Sequence, residues 1–210
     1  KDGAEIVIVS SKYNVAMSTI QRNNNRGSVN VAKDGNTVTI NSDVQIIVLG
    51  ITEDGKYTFF VSGCTNLDGD AVEDGYLYAA GGTGSNYLKT TSNVSNTATW
   101  TITIADGIAT IKCVDSATTR NQIRYNPNTG NGDPLFSCYA SGQQDVSIYV
   151  KTITEVHTCT PADAVKENEV APTCTAAGSY DEVVYCSECE KEISRKTVTV
   201  DALDHDMKTD

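Results

Sequence analysis

Residues 99–113 read TWTITIADGIATIKC. Apolar and polar side chains alternate on both sides of Asp106-Gly107, which is the period of a strand with one face turned inward. Asp-Gly is a favoured two-residue hairpin turn because both residues tolerate positive φ. The stretch therefore predicts a hairpin of Trp100–Ile104 and Ala109–Cys113. Toward the N-terminus, Val44–Leu49 and Tyr57–Val61 flank Glu53-Asp54-Gly55 in the same way. Further short strands are expected at Ile6–Val9, Tyr76–Ala80 and Val146–Val150, each bounded by Gly, Asn or Asp. No window up to residue 153 carries a helical stripe.

The two hairpins belong to a longer repeat. One unit reads VQIIVL, TEDGK, YTFFVSG, GYLYAA, GGTGS, NYLKT; the next reads TWTITIA, DG, IATIKC, QIRYN, PNTGNGD, PLFSCYA. A third unit appears only when the ends are joined, with DVSIYVK at 145–151 followed by EIVIVS at 5–10, YNVAMS, an Asn-rich loop and SVNVA. Ile6, Tyr57 and Ala109 are spaced about fifty residues apart. Three four-stranded units, one split between the ends, describe an all-β fold of the β-trefoil type over residues 1–153. Such a fold requires the strand near Ile6 to pair with the strand near Ile148. An ordinary β-sandwich is the alternative, since it too has many short strands.

Composition agrees with strands and polar turns: ten Tyr stand against three Phe and one Trp, with only four Pro. The net charge of -11 argues against nucleic-acid binding and against an anionic membrane surface, because both need a basic face. Arg22 and Arg26 flank an Asn run without forming a patch. No apolar run approaches a membrane span. The chain opens directly into a strand without a signal peptide, as expected of a module cut from a longer exported protein. The loop SGCTNLDGDAVEDG at 62–75 gathers Asp68, Asp70, Glu73 and Asp74. Oxygen-rich loops of this kind hold calcium in some proteins, but the spacing is not that of an EF-hand, and a solvated acidic loop is the plainer reading.

Residues 154–210 read differently. They carry few large apolar side chains, too few for a segment of this length to offset its ordering entropy. Two strands are expected, Ser179–Tyr185 and Glu192–Val200, after an irregular stretch from Glu155 to Pro172. Cys186-Ser-Glu-Cys189 falls at the turn between them, with Cys174 upstream and His205 downstream. A CxxC at a hairpin tip plus one more thiol and an imidazole suits a closed, structural zinc site in a zinc-ribbon-like hairpin domain. His157 and Cys159 are alternative fourth ligands. A disulfide within the set is the competing reading. Seven cysteines is an odd number, so disulfides alone cannot pair them all. Cys64, Cys113 and Cys138 lack CxxC spacing and read as buried small hydrophobes, with one disulfide as the next option.

The sequence AVKENEVAPTCTAAGSYDEVVYCSECEKEISRKTVTVDALDHD at 164–206 resembles a Cys-rich repeat of exported proteins from gut Gram-positive bacteria such as clostridia. It departs from that pattern at Asp204, where Gly is usual, and in the added thiol of Cys159. The resemblance implies an extracellular spacer rather than a catalytic domain. More loosely, Trp100-Thr-Ile-Thr-Ile, Ile123-Arg-Tyr-Asn126 and Phe136-Ser-Cys-Tyr139, with Gln143-Gln144 and Ile148-Tyr149, resemble accessory domains of exported gut bacterial proteins. That likeness implies an extracellular module and no particular activity.

A trefoil would present three related loops, near Gln21–Gly27, Gly81–Asn86 and Asn126–Asp133. Asn24, Arg26, Asn86, Tyr87, Tyr125, Asn126 and Asp133 are the candidate ligand-binding residues, because amides and carboxylates suit sugar hydroxyls and Tyr faces stack on sugar rings. Core or rim Tyr and chain-turning Asn/Gly runs are the plainer account of each residue taken singly. The expectation is a non-catalytic, monomeric glycan-binding module. An adhesin domain for a host protein and a purely structural stalk are the alternatives. The two His both fall in the C-terminal part, so no Ser/His/Asp set or Cys/His pair is evident in the large domain.

Overall fold

The structure, a computed structural model, describes residues 1–80, 82–115, 117–130, 132–152 and 158–203. Its contacts divide the chain into two units, Lys1–Thr152 and Ile153–Asp210. Both are built of strands. Among the described residues the one helical element is a single 3-10 turn at Asn96–Ala98. No helix is long and apolar enough to cross a membrane.

The first unit contains β1 (Glu5–Ser10), β2 (Val15–Gln21), β3 (Arg26–Asn30), β4 (Ala32–Asp34), β5 (Thr37–Thr39), β6 (Ile47–Ile51) and β7 (Tyr57–Val61). It continues with β8 (Gly75–Tyr78), β9 (Lys89–Thr91), β10 (Trp100–Ala105), β11 (Ile108–Cys113), β12 (Gln122–Asn126), β13 (Leu135–Tyr139) and β14 (Val146–Val150). The alternating stretch 99–113 forms β10 and β11, paired from Trp100↔Cys113 to Ala105↔Ile108. Asp106 and Gly107 take φ values of 51° and 77°. Positive φ at both central positions is the turn that matches strand twist, and it favours these two residue types.

Six strands pair in a circuit: β1 with β6, β6 with β7, β7 with β10, β10 with β11, β11 with β14, and β14 with β1. The last pairing runs from Ile6↔Val150 to Ser10↔Val146, with Ile8 opposite Ile148. The contact between the strands near Ile6 and Ile148 that the sequence required is therefore present. Three hairpins, β2–β3, β8–β9 and β12–β13, attach through pairs of β1 with β2, β7 with β8 and β11 with β12.

The core repeats with the chain. Ile8, Phe59 and Ile111 from β1, β7 and β11 are buried, as are Ile47, Trp100 and Val146, which open β6, β10 and β14. Met17, Leu77 and Ile123 from β2, β8 and β12 complete the set, and all nine lie in one cluster. Trp100 also donates its indole N–H to the Leu77 carbonyl at 3.1 Å. This satisfies the one polar atom of a fully buried side chain. A smaller cluster of Val7, Val9, Ala16 and Val44, with Val38, Ile46 and Tyr149 against it, lies on the side of the β4–β5 hairpin.

The second unit is a three-stranded sheet in the order β15 (Val165–Val170), β16 (Gly178–Tyr185), β17 (Glu192–Val200). β16 and β17 match the two expected strands. β15 corrects the sequence reading, which left that stretch irregular. Its sequence VKENEV is almost wholly exposed, and it bulges between Glu167 and Val170 with Asn168 at φ 52°. A polar, bulged strand lacks the alternation that marks strands in sequence. Gly178 opens β16 where a Cβ would collide with the Val170 carbonyl and Pro172. Among the described residues of this unit, only Val183 and Cys186 are buried side chains of apolar type.

Candidate functional site

The three hairpin loops of the first unit meet. The Asn24 carbonyl accepts the Leu88 backbone N–H at 2.8 Å, joining the first loop to the second. Arg22 pairs with Asp133 at 2.9 Å, and Ser28 donates to the Pro134 carbonyl at 3.2 Å, joining the first to the third. Short pairing of β13 with β3, Leu135↔Gly27 and Phe136↔Arg26, fixes that contact. Arg120 holds Asn86 through a 2.7 Å bond to its side-chain oxygen.

These contacts tie Asn24, Asn86 and Asp133 to neighbouring segments, whereas two other sequence candidates point elsewhere. Arg26 is completely buried and Tyr125 is 3% exposed. Tyr125 packs on Tyr13 and Phe136 with ring centroids 5.6 and 5.1 Å apart, and burial raises its phenol above the usual value. Arg26 donates to Gln21 Oε1 at 3.2 Å, to the Ser18 carbonyl at 3.5 Å, to Cys64 Sγ at 3.0 Å and to Gln45 Oε1. Every one of these acceptors is formally neutral, and Arg26 Nε has no partner. Asn126 is occupied within its own loop: it donates to Tyr139 Oη at 3.1 Å and accepts the Asn128 N–H at 2.9 Å.

Beside these loops lies a pocket of about 440 Å³ lined by Gln21, Arg22, Asn23, Asn66, Leu67, Asp68, Val72 and Lys89. It opens between the β2–β3 loop and the acidic loop, and neither the repeat nor composition singled it out. Asn66 shapes the acidic loop. Its side-chain oxygen accepts the N–H groups of Asp68 and Asp70, both at 2.9 Å, and its nitrogen donates to Asp70 at 3.1 Å. Asp74 caps the Gly63 N–H at 3.0 Å. Among the described residues, Asp68, Asp70, Glu73 and Asp74 do not gather into a set of ligand atoms. Asp70 and Asp74 hold the loop itself, which is why the calcium expectation finds no cage here.

In the second unit, Cys159, Cys186 and Cys189 place their Sγ atoms within 4.8 Å of one another. The β16–β17 turn positions the last two. Cys186 N donates to the Lys191 carbonyl at 2.9 Å, Glu190 N returns to the Cys186 carbonyl at 3.0 Å, and Glu190 takes φ 59° to close the turn. Cys159 arrives because its segment pairs with the end of β16. Pro161 bridges Cys186, Ala162 N donates to the Tyr185 carbonyl at 2.8 Å, and Ser187 N donates to the Thr160 carbonyl at 2.9 Å. The neighbouring thiols, Cys186 foremost, push the Cys159 thiol up to about 11.

Cys174 lies outside this trio. It sits exposed in the β15–β16 turn, at the far end of an eight-residue strand from Cys186. Such a strand spans about 26 Å. Leu203 N donates to the Thr173 carbonyl at that same far end. His157 and His205 lie outside the described residues. Cys159 thus stands where the sequence reading gave first place to Cys174. The deciding signal is one isolated bridge, which no periodicity reports.

No disulfide joins any of the seven cysteines. In a tetrahedral zinc site with Zn–S bonds of ~2.3 Å, sulfurs lie about 3.8 Å apart. The trio lies within 4.8 Å, a spacing from which these three thiols could hold a metal. No protein-family model, no curated protein and no solved structure matches the chain.

Proposed function

We propose that the first unit is a β-trefoil acting as a non-catalytic glycan-binding module of an extracellular bacterial protein. The second unit serves as a small spacer stapled by zinc. The trefoil reading is supported by the closed circuit of six pairings and by the threefold set of buried residues. The observation that carries the binding reading is the pocket beside the converging loops, with Arg22, Asn23, Asn66 and Asp68 among its walls. Amide and charged groups fixed around one concavity suit the dense hydroxyls of a sugar. Zinc is favoured at the trio because soft thiolates in a tight turn select it over hard cations.

A glycan array probed with the full chain tests the binding reading. Binding is expected, and Asn23→Ala should weaken it while leaving the melting curve of the first unit in place. No glycan captured, together with specific capture of a host protein, would sink it. Metal content is checked by elemental analysis after reduction: about one zinc per chain is expected, and a metal-free protein with protected thiols would mean disulfides instead.

A further inference from the structure

We propose that the pocket of Gln21, Arg22, Asn23, Asn66, Asp68 and Lys89 takes a carboxylate-bearing sugar, with Lys89 as the counter-ion of the carboxylate. This rests on the glycan reading above and names the class of sugar.

Charge is the reason. The chain as a whole is acidic, at -11, yet two basic side chains, Arg22 and Lys89, line this one pocket. Lys89 projects from β9 into the lining, and its ammonium group makes no hydrogen bond or ion pair among the described residues. Arg22 lies beside it, and Asp133 offsets its charge at 2.9 Å. Behind the floor lies Arg26, which is fully buried and surrounded by neutral acceptors only. A guanidinium keeps its charge, and a buried charge that forms no ion pair among the described residues projects its field through low-dielectric surroundings.

Gln21 connects that charge to the pocket. Its Oε1 accepts Arg26 Nη1 at 3.2 Å. Its Nε2 donates to the Arg22 and Asn25 carbonyls at 2.6 and 2.9 Å. The pocket floor is therefore a side chain that is 6% exposed and hydrogen-bonded to a buried cation. A neutral sugar leaves both Lys89 and this field uncompensated; a carboxylate answers both. Asp68 is the opposing charge. It stands on the acidic loop at the pocket wall, where it accepts hydroxyls and repels a carboxylate brought too near.

The experiment titrates the full chain calorimetrically with tri-galacturonate and its methyl ester, and with sialyllactose and lactose. At least one acid is expected to bind about tenfold or more tightly than its neutral partner, and the advantage should shrink as salt rises. Which acid wins identifies the source of the carboxylate. Lys89→Met should remove most of that advantage. Asp68→Asn should tighten the acid, a gain that misfolding cannot produce. Equal affinity for acid and neutral partner, or an advantage untouched by Lys89→Met, overturns this inference and leaves the glycan reading standing. Failure of all four probes and of the glycan array overturns both.

Discussion

The two units solve the same problem by different means. The first surrounds Trp100, Phe59, Ile8 and Ile111 with a continuous apolar cluster drawn from every strand of its circuit. The second has two strands as long as any in the chain but buries only Val183 and Cys186 among its described apolar side chains. Its strands are tied instead by charged and polar side chains, with the three thiols gathered at one turn. Arg195 on β17 reaches Glu167 on β15 at 2.9 Å, Asp181 on β16 at 3.1 Å and Glu192 at 2.8 Å. Tyr185 donates to Glu167 at 2.6 Å, and Asn168 and Thr197 both donate to Asp181 at 2.8 Å. A core formed by burial depends little on solution conditions. A sheet held by ion pairs depends on pH and salt, and on metal where its thiols bind one.

The largest expected effect follows from that dependence. With zinc at the trio, chelation under reducing conditions should erase the unfolding transition of the second unit and leave that of the first in place. Calorimetry of the full chain before and after chelation checks this; an unchanged second transition removes the metal from the comparison. The converse is Trp100→Ala. A fully buried aromatic lost from a packed core costs about 3–5 kcal/mol, so the first transition should fall and the second stay.

A third effect is confined to the thiols. The Cys159 thiol is raised to about 11 by its neighbours, above its ordinary value near 9. In metal-free protein the folded state thus holds that proton more tightly than the unfolded chain. Its contribution to stability is complete below pH ~9 and is lost as the pH climbs toward ~11. A pH series of melting temperatures on chelated protein, with Cys159→Ser as the flat control, measures it.

The smallest effect belongs to Arg195. Hydrogen bonds from Tyr185 and then Arg195 lower Glu167, while those from Asn168 and Thr197, ahead of Arg195, lower Asp181. Their stabilisation is present above the ordinary carboxylate range and lost as pH falls through the lowered values. Arg195→Met should therefore reduce the acid sensitivity and salt sensitivity of the second transition. Equal slopes in variant and parent would mean that these surface pairs contribute nothing measurable.

What the sequence made legible follows the same division. Strand alternation and Asp-Gly turns located β1, β7, β10, β11 and β14, and the fifty-residue spacing foresaw the pairing of β1 with β14. Arg26 misled because charged side chains next to an Asn run normally face water. The β2–β3 register shifts between Met17 and Gln21. Cys159 could be named only as an alternative ligand, since its place depends on the Pro161–Cys186 bridge. The Gln21–Lys89 pocket draws on three separate segments and has no signature in any of them.

The pairing of β1 with β14 has a mechanical consequence. Ile6 lies opposite Val150, and Lys151 N donates to the Glu5 carbonyl at 2.8 Å. The start of β1 and the end of β14 are thus side by side. Tension entering through those two points loads the pair at one end and peels its hydrogen bonds one at a time, rather than shearing them together. Under pull the first unit should open at its own seam and at low force, lengthening the chain before a shear-loaded pair would yield.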